Sequence, residues 1–274
     1  MFTWGYTQCI TNFNVPCPRI AQTTNSDSKV TNYPISIRPF GAHAVLVEWP
    51  KEVHEAILND ILLFTSYLKS QCLDQKEWEM VSAYNSLTLI QRKSRVNFEP
   101  FKSQLQKWYS KREGIAQNEK YLWRLPVCYD LDFAIDLEEV AQSLGKTTAE
   151  VVKMHTTHEY TVFGIGFLPG FMYLGGLPKT LEVPRRPEPR SKVEKGAVGL
   201  AGKQTGIYPQ ESPGGWNIIG NCSVPIFDAN RDEPCFVNVG DKIQFYSISR
   251  AEYKLHKIEG EVGIYQFEKI KINA

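Results

Sequence analysis

The residues best suited to chemistry are concentrated between His155 and Asp228, where glycine, proline, basic and aromatic residues alternate. The first cluster is GIGFLPGF, residues 164–171, and it continues to Tyr173. Glycine lets the backbone approach a ligand closely, whereas proline keeps a loop rigid. A ligand-binding loop with flat aromatic walls and a barrel corner that merely requires glycine both explain this pattern. The candidate binding residues of this cluster are Phe167, Pro169, Gly170 and Tyr173.

The second cluster is VPRRPEPRSK, residues 183–192, in which four of ten residues are arginine or lysine and three are proline. An arginine side chain presents a planar fork of donors that suits a carboxylate or a phosphate. A solvated basic loop is the alternative. The position between two glycine-rich segments favours an anion site, with Arg185 and Arg190 as the candidate ligands.

The third cluster comprises GLAGKQTGIYP, residues 199–209, and SPGGW, residues 212–216. Polar side chains and exposed backbone N–H groups here could hold an anion or a polar ligand. The GxxxxGK[ST] motif is absent from this segment, so nucleotide binding cannot rest on a P-loop. Trp216 starts a strand and is more typical of a core position. The candidate binding residues are Gly202, Lys203, Gln204, Thr205, Tyr208, Gly214 and Gly215.

His155 is followed by His158 and Glu159 just before a predicted strand. Imidazole titrates near neutral pH, so His155 could act as an acid or a base. Capping of the preceding helix end is an equally good interpretation. A metal site would need a further ligand that the pattern does not supply, and we predict no protein-bound metal.

Composition narrows the class of protein. The chain has 274 residues and a formal net charge of +1, with 31 basic and 30 acidic residues, which predicts neither a nucleic-acid nor a membrane partner. The six cysteines form no CxxC pair, so we expect free thiols. The N-terminus lacks the pattern of a signal peptide, and we expect a cytoplasmic protein that acts on a small molecule.

The segments that position these clusters divide into three parts. Residues 1–32 contain an aperiodic polar run and indicate an extension or linker. Residues 33–127 alternate strands with two amphipathic helices, which favours a ferredoxin-like α+β domain. Residues 128–274 contain two short helices and then many short strands, which favours a β-barrel. The predicted helices are 51–70, 99–112, 137–143 and 148–156, and the predicted strands are 35–38, 44–49, 80–83, 87–91, 121–127, 160–167, 198–201, 216–219, 224–227 and 242–247.

Together these motifs resemble those of the allophanate hydrolase subunit 1 family, also called the carboxyltransferase C/D-subdomain family. The similarity runs from about residue 33 to the C-terminus and is most specific between His155 and Asp228. It is carried by His155 and Tyr160, GFLPGF at 166–171, Pro184-Arg185, Pro189-Arg190, GAVG at 196–199, QTGIYP at 204–209 and SPGGW at 212–216.

The resemblance implies an N-terminal α+β domain followed by a cyclophilin-like β-barrel. It further implies one component of an ATP-dependent 5-oxoprolinase, which opens 5-oxoproline to glutamate with ATP hydrolysis. The implied partners are a C-type subunit that shares the active site, similar to allophanate hydrolase subunit 2, and an A-type subunit. ATP would be a co-substrate, together with Mg²⁺. A regulatory protein that inhibits a sensor histidine kinase and an allophanate or urea carboxylase-type subunit remain the alternatives.

Within this resemblance we assign hypothetical roles to the candidates. Arg190 and Lys203 would face the anionic groups of the substrates, because phosphoryl transfer requires positioned cations. His155 would relay a proton. The walls of the site would be formed by Phe167, Tyr173 and Tyr208.

Overall fold

The computed structural model describes residues 32–112 and 119–272. The predicted N-terminal extension therefore lies outside the described residues, apart from Asn32. The described chain forms two units, a four-stranded sheet with two helices and a larger barrel that carries three helices. No helix in the described ranges is both long and apolar enough to cross a membrane.

The first unit is an antiparallel sheet with strand order β1-β2-β4-β3. The strands are adjacent in the same order as in a ferredoxin-like sheet. The difference is that the strand that comes last in a ferredoxin-like chain comes first here, as β1. The predicted α+β unit is confirmed in this permuted form. Its elements are β1 (Ser36–Pro39), β2 (Ala44–Glu48), α1 (Glu55–Tyr67) with a π-helical turn (Leu68–Cys72), β3 (Trp78–Ala83), β4 (Ser86–Gln91) and α2 (Phe98–Tyr109).

The core of the first unit follows from two periodicities. In β4, Leu87 and Leu89 are fully buried while Thr88 between them is only partly covered, as expected for a strand with one face on a core. In α1, Ile57, Ile61 and Phe64 recur at helical spacing and are all buried. The helix begins where the His54 imidazole accepts a hydrogen bond from the Ala56 amide at 3.1 Å. The β3–β4 hairpin and the start of α1 are the parts of this unit that face the second unit.

The second unit is a closed barrel of seven strands in the order β12-β9-β10-β7-β6-β13-β5, with β5 returning to β12. The predicted barrel is confirmed. β14 lies against β5, and β8 pairs with β11 outside the barrel. The strands are β5 (Lys120–Cys128), β6 (Glu159–Ile165), β7 (Met172–Gly175), β8 (Arg190–Val193), β9 (Ala197–Ala201), β10 (Gln204–Ile207), β11 (Ser212–Gly214), β12 (Asn217–Cys222), β13 (Lys242–Ser247) and β14 (Glu268–Ile272), and the helices are α3 (Leu137–Ser143), α4 (Thr148–Thr157), α5 (Arg250–Glu261) and a 3₁₀ turn (Lys179–Leu181).

The structure corrects two expectations from the sequence. The sequence places β5 in the first domain, but the strand runs parallel to β13 with Leu125 opposite Phe245, so the first unit ends before Lys120. The predicted strand at residues 224–227 is irregular, and Pro225 within it has no N–H to give to a ladder. The α4 start agrees with expectation, because Thr147 and Glu150 form a reciprocal capping box.

Candidate functional site

A cleft of about 1110 Å³ opens where the two units meet. β7, β10 and the loops after β6 and before β12 supply one side, and the β3–β4 hairpin and the start of α1 supply the other. Nine of the predicted site residues line this cleft, so most of the three sequence clusters do converge. They are Phe167, Tyr173, Arg185, Gly202, Lys203, Gln204, Tyr208, Gly214 and Gly215.

One wall of the cleft is a set of aromatic rings packed edge to face. The Phe171 ring lies 5.4 Å from those of both Tyr208 and Trp216, at interplanar angles of 81° and 87°. Such contacts add to the burial of apolar area and hold the rings in place. A Cβ atom at Gly214 would lie 2.4 Å from the Tyr208 hydroxyl, so glycine is required there. These three rings are therefore rigid, and because they are only 2–4% exposed they support the cleft surface from behind.

Two cations project into this cleft without a partner among the described residues. Lys203 follows Gly202, whose φ of +58° makes the tight turn between β9 and β10. Arg185 lies near Tyr208, whose pKa is raised by burial against the opposing effects of the Trp216 backbone N–H and the Arg185 charge. Both side chains belong to exposed residues. A rigid aromatic wall with two available positive charges suits a small anion that also has an apolar part.

Phe167 stands at the mouth of the cleft in a strained conformation. Its φ is +69°, a region that bulky residues avoid, and 67% of its surface is exposed. The loop is fixed by the hydrogen bonds Gly166 N–H to Phe171 O and Phe171 N–H to Leu168 O, both 3.0 Å. Strain of this kind persists only where the surrounding structure enforces it.

Pro169 and Gly170 belong to the same loop but do not line the cleft. The φ of Gly170 is +83°, and a Cβ atom there would lie 2.5 Å from Cβ of Phe227. The glycine therefore permits close packing of the loop on the barrel rather than contact with a ligand.

Arg190 is a correction to the sequence analysis, because the structure directs it away from the cleft. Its guanidinium binds the Asp136 carboxylate at two points, 2.6 and 2.9 Å. Asp136 is only 2% exposed and also accepts hydrogen bonds from Arg186 and from the Ile218 amide. The Arg190 charge is thus already paired with Asp136, outside the cleft.

His155 is likewise placed in the barrel interior and not in the cleft. It is fully buried, with Nδ1 2.7 Å from the Tyr129 hydroxyl and Nε2 2.9 Å from Thr205 Oγ1. The Thr205 hydroxyl donates to the carbonyl of Gly199 at 3.0 Å, so it must accept from Nε2–H. Nε2 therefore carries a proton, and because burial keeps the imidazole neutral, Nδ1 accepts from Tyr129. Burial, assisted by the charge of nearby His158, lowers the pKa of His155 to about 3.

This buried chain of hydrogen bonds has a consequence for the cleft. Thr205 is anchored to α4 through His155, and the neighbouring residue Gln204 points to the opposite side of β10. His155 therefore acts on the cleft by fixing β10, and the geometry gives no support to a proton relay through it. The alternative that it caps the helix is not met either, since the C-cap position is His158.

Tyr84 is the principal cleft residue that the sequence analysis missed. It occupies the two-residue turn between β3 and β4 with a φ of +51°. Its amide donates to the Phe163 carbonyl at 2.7 Å, its ring stacks on Phe163, and its hydroxyl accepts from Gln204 Nε2 at 2.7 Å. The sequence indicates the turn, but nothing local to it indicates contact with residues about 80 and 120 positions later.

A second contact between the units lies on the α1 side of the cleft. The Glu55 carboxylate accepts hydrogen bonds from Thr161 and from Lys242, which in turn donates to Thr161 at 2.7 Å. Burial alone would raise the pKa of Glu55, but these hydrogen bonds and the Lys242 charge outweigh it and leave the pKa lowered. The start of α1 is thereby tied to β6 and β13.

Comparison with known sequences places this fold and cleft in a family. Residues 35–237 match the family described as carboxyltransferase domain, subdomain C and D, and the chain belongs to it. The chain is 40% identical to the B subunit of 5-oxoprolinase from Escherichia coli O157:H7 over 167 residues, which cover 61% of this chain and 76% of that protein.

Two further similarities extend over more of the chain. The 5-oxoprolinase B subunit from Bacillus subtilis (strain 168) is 32% identical over 233 residues, covering 81% of this chain and 97% of that protein. The crystal structure of the Kluyveromyces lactis urea carboxylase superposes with a TM-score of 0.71 over 91% of this chain, at 17% identity. This chain spans 25% of that enzyme, and the similarity shows the fold that the two share.

Proposed function

We propose that this protein is the B-type subunit of an ATP-dependent 5-oxoprolinase, which opens 5-oxoproline to glutamate with ATP hydrolysis. The observation that carries the proposal is the cleft, which combines a rigid aromatic wall with the two unpaired cations Arg185 and Lys203 among the described residues. Relatives that carry the name of the 5-oxoprolinase B subunit, at 40% and 32% identity, support the same conclusion.

The chemistry explains why such a cleft is useful. A lactam is a poor electrophile, and transfer of a phosphoryl group to its oxygen makes ring opening easier. The site must then hold the carboxylate of 5-oxoproline and stabilise the negative charge of the transferred phosphoryl group.

The residues of this chain divide these tasks. Arg185 presents a planar fork of donors that suits the substrate carboxylate. Lys203, a compact charge at the tip of a tight turn, faces the phosphoryl oxygens. The ring of the substrate lies against Phe167 and Tyr173, the accessible aromatic residues of the cleft, which pack on the buried ring of Phe171. ATP enters as a co-substrate with Mg²⁺, and the active site is completed by the A-type and C-type subunits.

The experiment that tests this proposal is phosphate release from ATP, with and without 5-oxoproline. It compares this protein alone with mixtures that contain the A-type and C-type subunits encoded in the same genome. Release that depends on 5-oxoproline and on the full set of proteins supports the proposal. A well-folded mixture of all three proteins that releases no phosphate contradicts it and favours a regulatory binding protein instead.

A further inference from the structure

The hydrogen bond between Tyr84 and Gln204 leaves two polar atoms of the pair unused. The Tyr84 oxygen accepts from Gln204 Nε2 at 2.7 Å, and its single hydrogen has no acceptor within residues 32–112 and 119–272. The Gln204 carbonyl oxygen Oε1 has no donor in the same part of the chain. Both residues line the cleft. One donor and one acceptor thus stand side by side and remain available to a ligand.

The pair is held firmly in place from both units. The Tyr84 ring is nearly parallel to that of Phe163, at 14° and 6.4 Å between centroids, and approaches Tyr173 at 5.6 Å. Gln204 begins β10, and the next residue, Thr205, is hydrogen-bonded to His155 in the core. Partial burial also raises the pKa of Tyr84 to about 12, so its hydroxyl keeps its proton at neutral pH. A fixed donor and acceptor of this kind give specificity because an unmatched ligand leaves them unpaired.

We propose that Tyr84 and Gln204 together recognise the amide edge of a lactam ring. A small ring forces its amide to be cis, which places the C=O and N–H groups next to each other on one edge. The Tyr84 hydroxyl donates to the ring carbonyl, and Gln204 Oε1 accepts from the ring N–H. This inference rests on the proposed function. It makes Tyr84, a residue of the first unit, contact the substrate in the cleft and contribute to specificity.

The test uses the complex reconstituted from all three proteins, with wild-type protein and with Tyr84→Phe, which removes only the hydroxyl and keeps the stacked ring. We expect the KM for 5-oxoproline to rise about five- to tenfold, with kcat within about twofold, as for the loss of one neutral hydrogen bond. Tyr253→Phe is the matched control, because it removes a tyrosine hydroxyl that donates to an amide oxygen, that of Asn221, outside the cleft. That control should keep the wild-type KM.

A second measurement tests the acceptor. The analogue with a ring oxygen in place of the N–H, 5-oxotetrahydrofuran-2-carboxylate, serves as a competitive inhibitor. The wild-type complex should bind it about tenfold more weakly than 5-oxoproline, and Gln204→Met should largely remove this difference. An active wild-type complex with an unchanged KM in Tyr84→Phe, or unchanged discrimination in Gln204→Met, overturns this inference alone. A complete wild-type complex without 5-oxoproline-dependent activity overturns the proposed function and this inference with it.

Discussion

Asp136 and Arg190 form a two-point ion pair on the outside of the barrel, with Oδ1 2.6 Å from Nη2 and Oδ2 2.9 Å from Nη1. Asp136 precedes α3, and Arg190 begins β8, so the pair joins the helix layer to the two-stranded β8–β11 arm. The same carboxylate accepts from the Ile218 amide at 2.7 Å. A carboxylate with three separate donors keeps its charge compensated although it is buried.

Arg190→Ala should therefore reduce stability rather than chemistry. Arg186 remains on Asp136, and the Arg190 side chain is 27% exposed, so we expect the free energy of unfolding to fall by about 2 kcal/mol. The kcat of the folded fraction should stay within about twofold of wild type. Urea denaturation and phosphate release by the complex give the two quantities. Unchanged stability with a lost kcat would return Arg190 to the reaction.

Lys203→Met should give the opposite pattern. The residue is exposed and has no partner among the described residues, so the free energy of unfolding should change by less than about 0.5 kcal/mol. If Lys203 stabilises phosphoryl charge, kcat should fall about 100-fold or more. Lys254→Met, another exposed lysine on α5, is the matched control and should keep full activity. Equal kcat values for the two variants would exclude the assigned role of Lys203.

The buried imidazole of His155 leads to a prediction of how the stability of the protein depends on pH. Its pKa is lowered by burial to about 3 in the folded state, against about 6.5 when unfolded. Below pH 6.5 the unfolded chain therefore binds more protons, so the contribution of His155 is complete above that pH and is lost as the pH falls towards 3. This single group should cost about 1.4 kcal/mol per pH unit in that window.

The comparison that isolates this effect is wild type against His155→Gln, which keeps a donor and an acceptor but does not titrate. Between pH 6.5 and 5 the wild type should lose about 2 kcal/mol more stability than the variant, as measured by urea denaturation. Parallel losses in both proteins would show that His155 is not buried in its neutral form. The pH profile of kcat/KM should show no group that is assignable to His155.

The sequence predicts individual strands better than it predicts which strands pair with each other. The mostly apolar run of residues 121–127 predicts the strand β5, but its parallel neighbour β13 begins about 120 residues later. Local periodicity reports how a segment exposes its two faces and carries no information on which strand it will join. The predicted strand is therefore confirmed, and its assignment to the first unit is wrong.

The same limit applies to the site. Glycine, proline and basic clusters locate the cleft, because those residue types are required wherever backbone and ligand come close. In the sequence, Lys203 and Arg190 are both basic residues within clusters rich in glycine or proline. Only the fold brings Asp136, 54 residues earlier, to Arg190 and leaves Lys203 without a partner in the described chain. Tyr84 escapes sequence analysis for the converse reason, since it lies in the other unit and reaches Gln204 only through tertiary structure.

The strained backbone at Phe167 leads to the last prediction. A non-glycine residue in the left-handed region is disfavoured by about 1–2 kcal/mol, and glycine is not. Because 67% of Phe167 is exposed, the loss of its side chain removes little buried area. Phe167→Gly should therefore be more stable than Phe167→Ala by about 1 kcal/mol in urea denaturation, since only glycine relieves the strain.

If the strained backbone serves to position the phenyl ring, both variants should impair function to the same degree. The ring stands at the mouth of the cleft, 5.8 Å from that of Phe171. We expect the KM for 5-oxoproline, measured in the reconstituted complex, to rise by a similar factor in Phe167→Gly and Phe167→Ala despite their different stabilities. Phe40→Ala is the control, because Phe40 is another exposed phenylalanine, at 59%, but lies outside the cleft. Wild-type KM values in both Phe167 variants would show that the rim aromatic is dispensable for binding and that the strain has no function in this reaction.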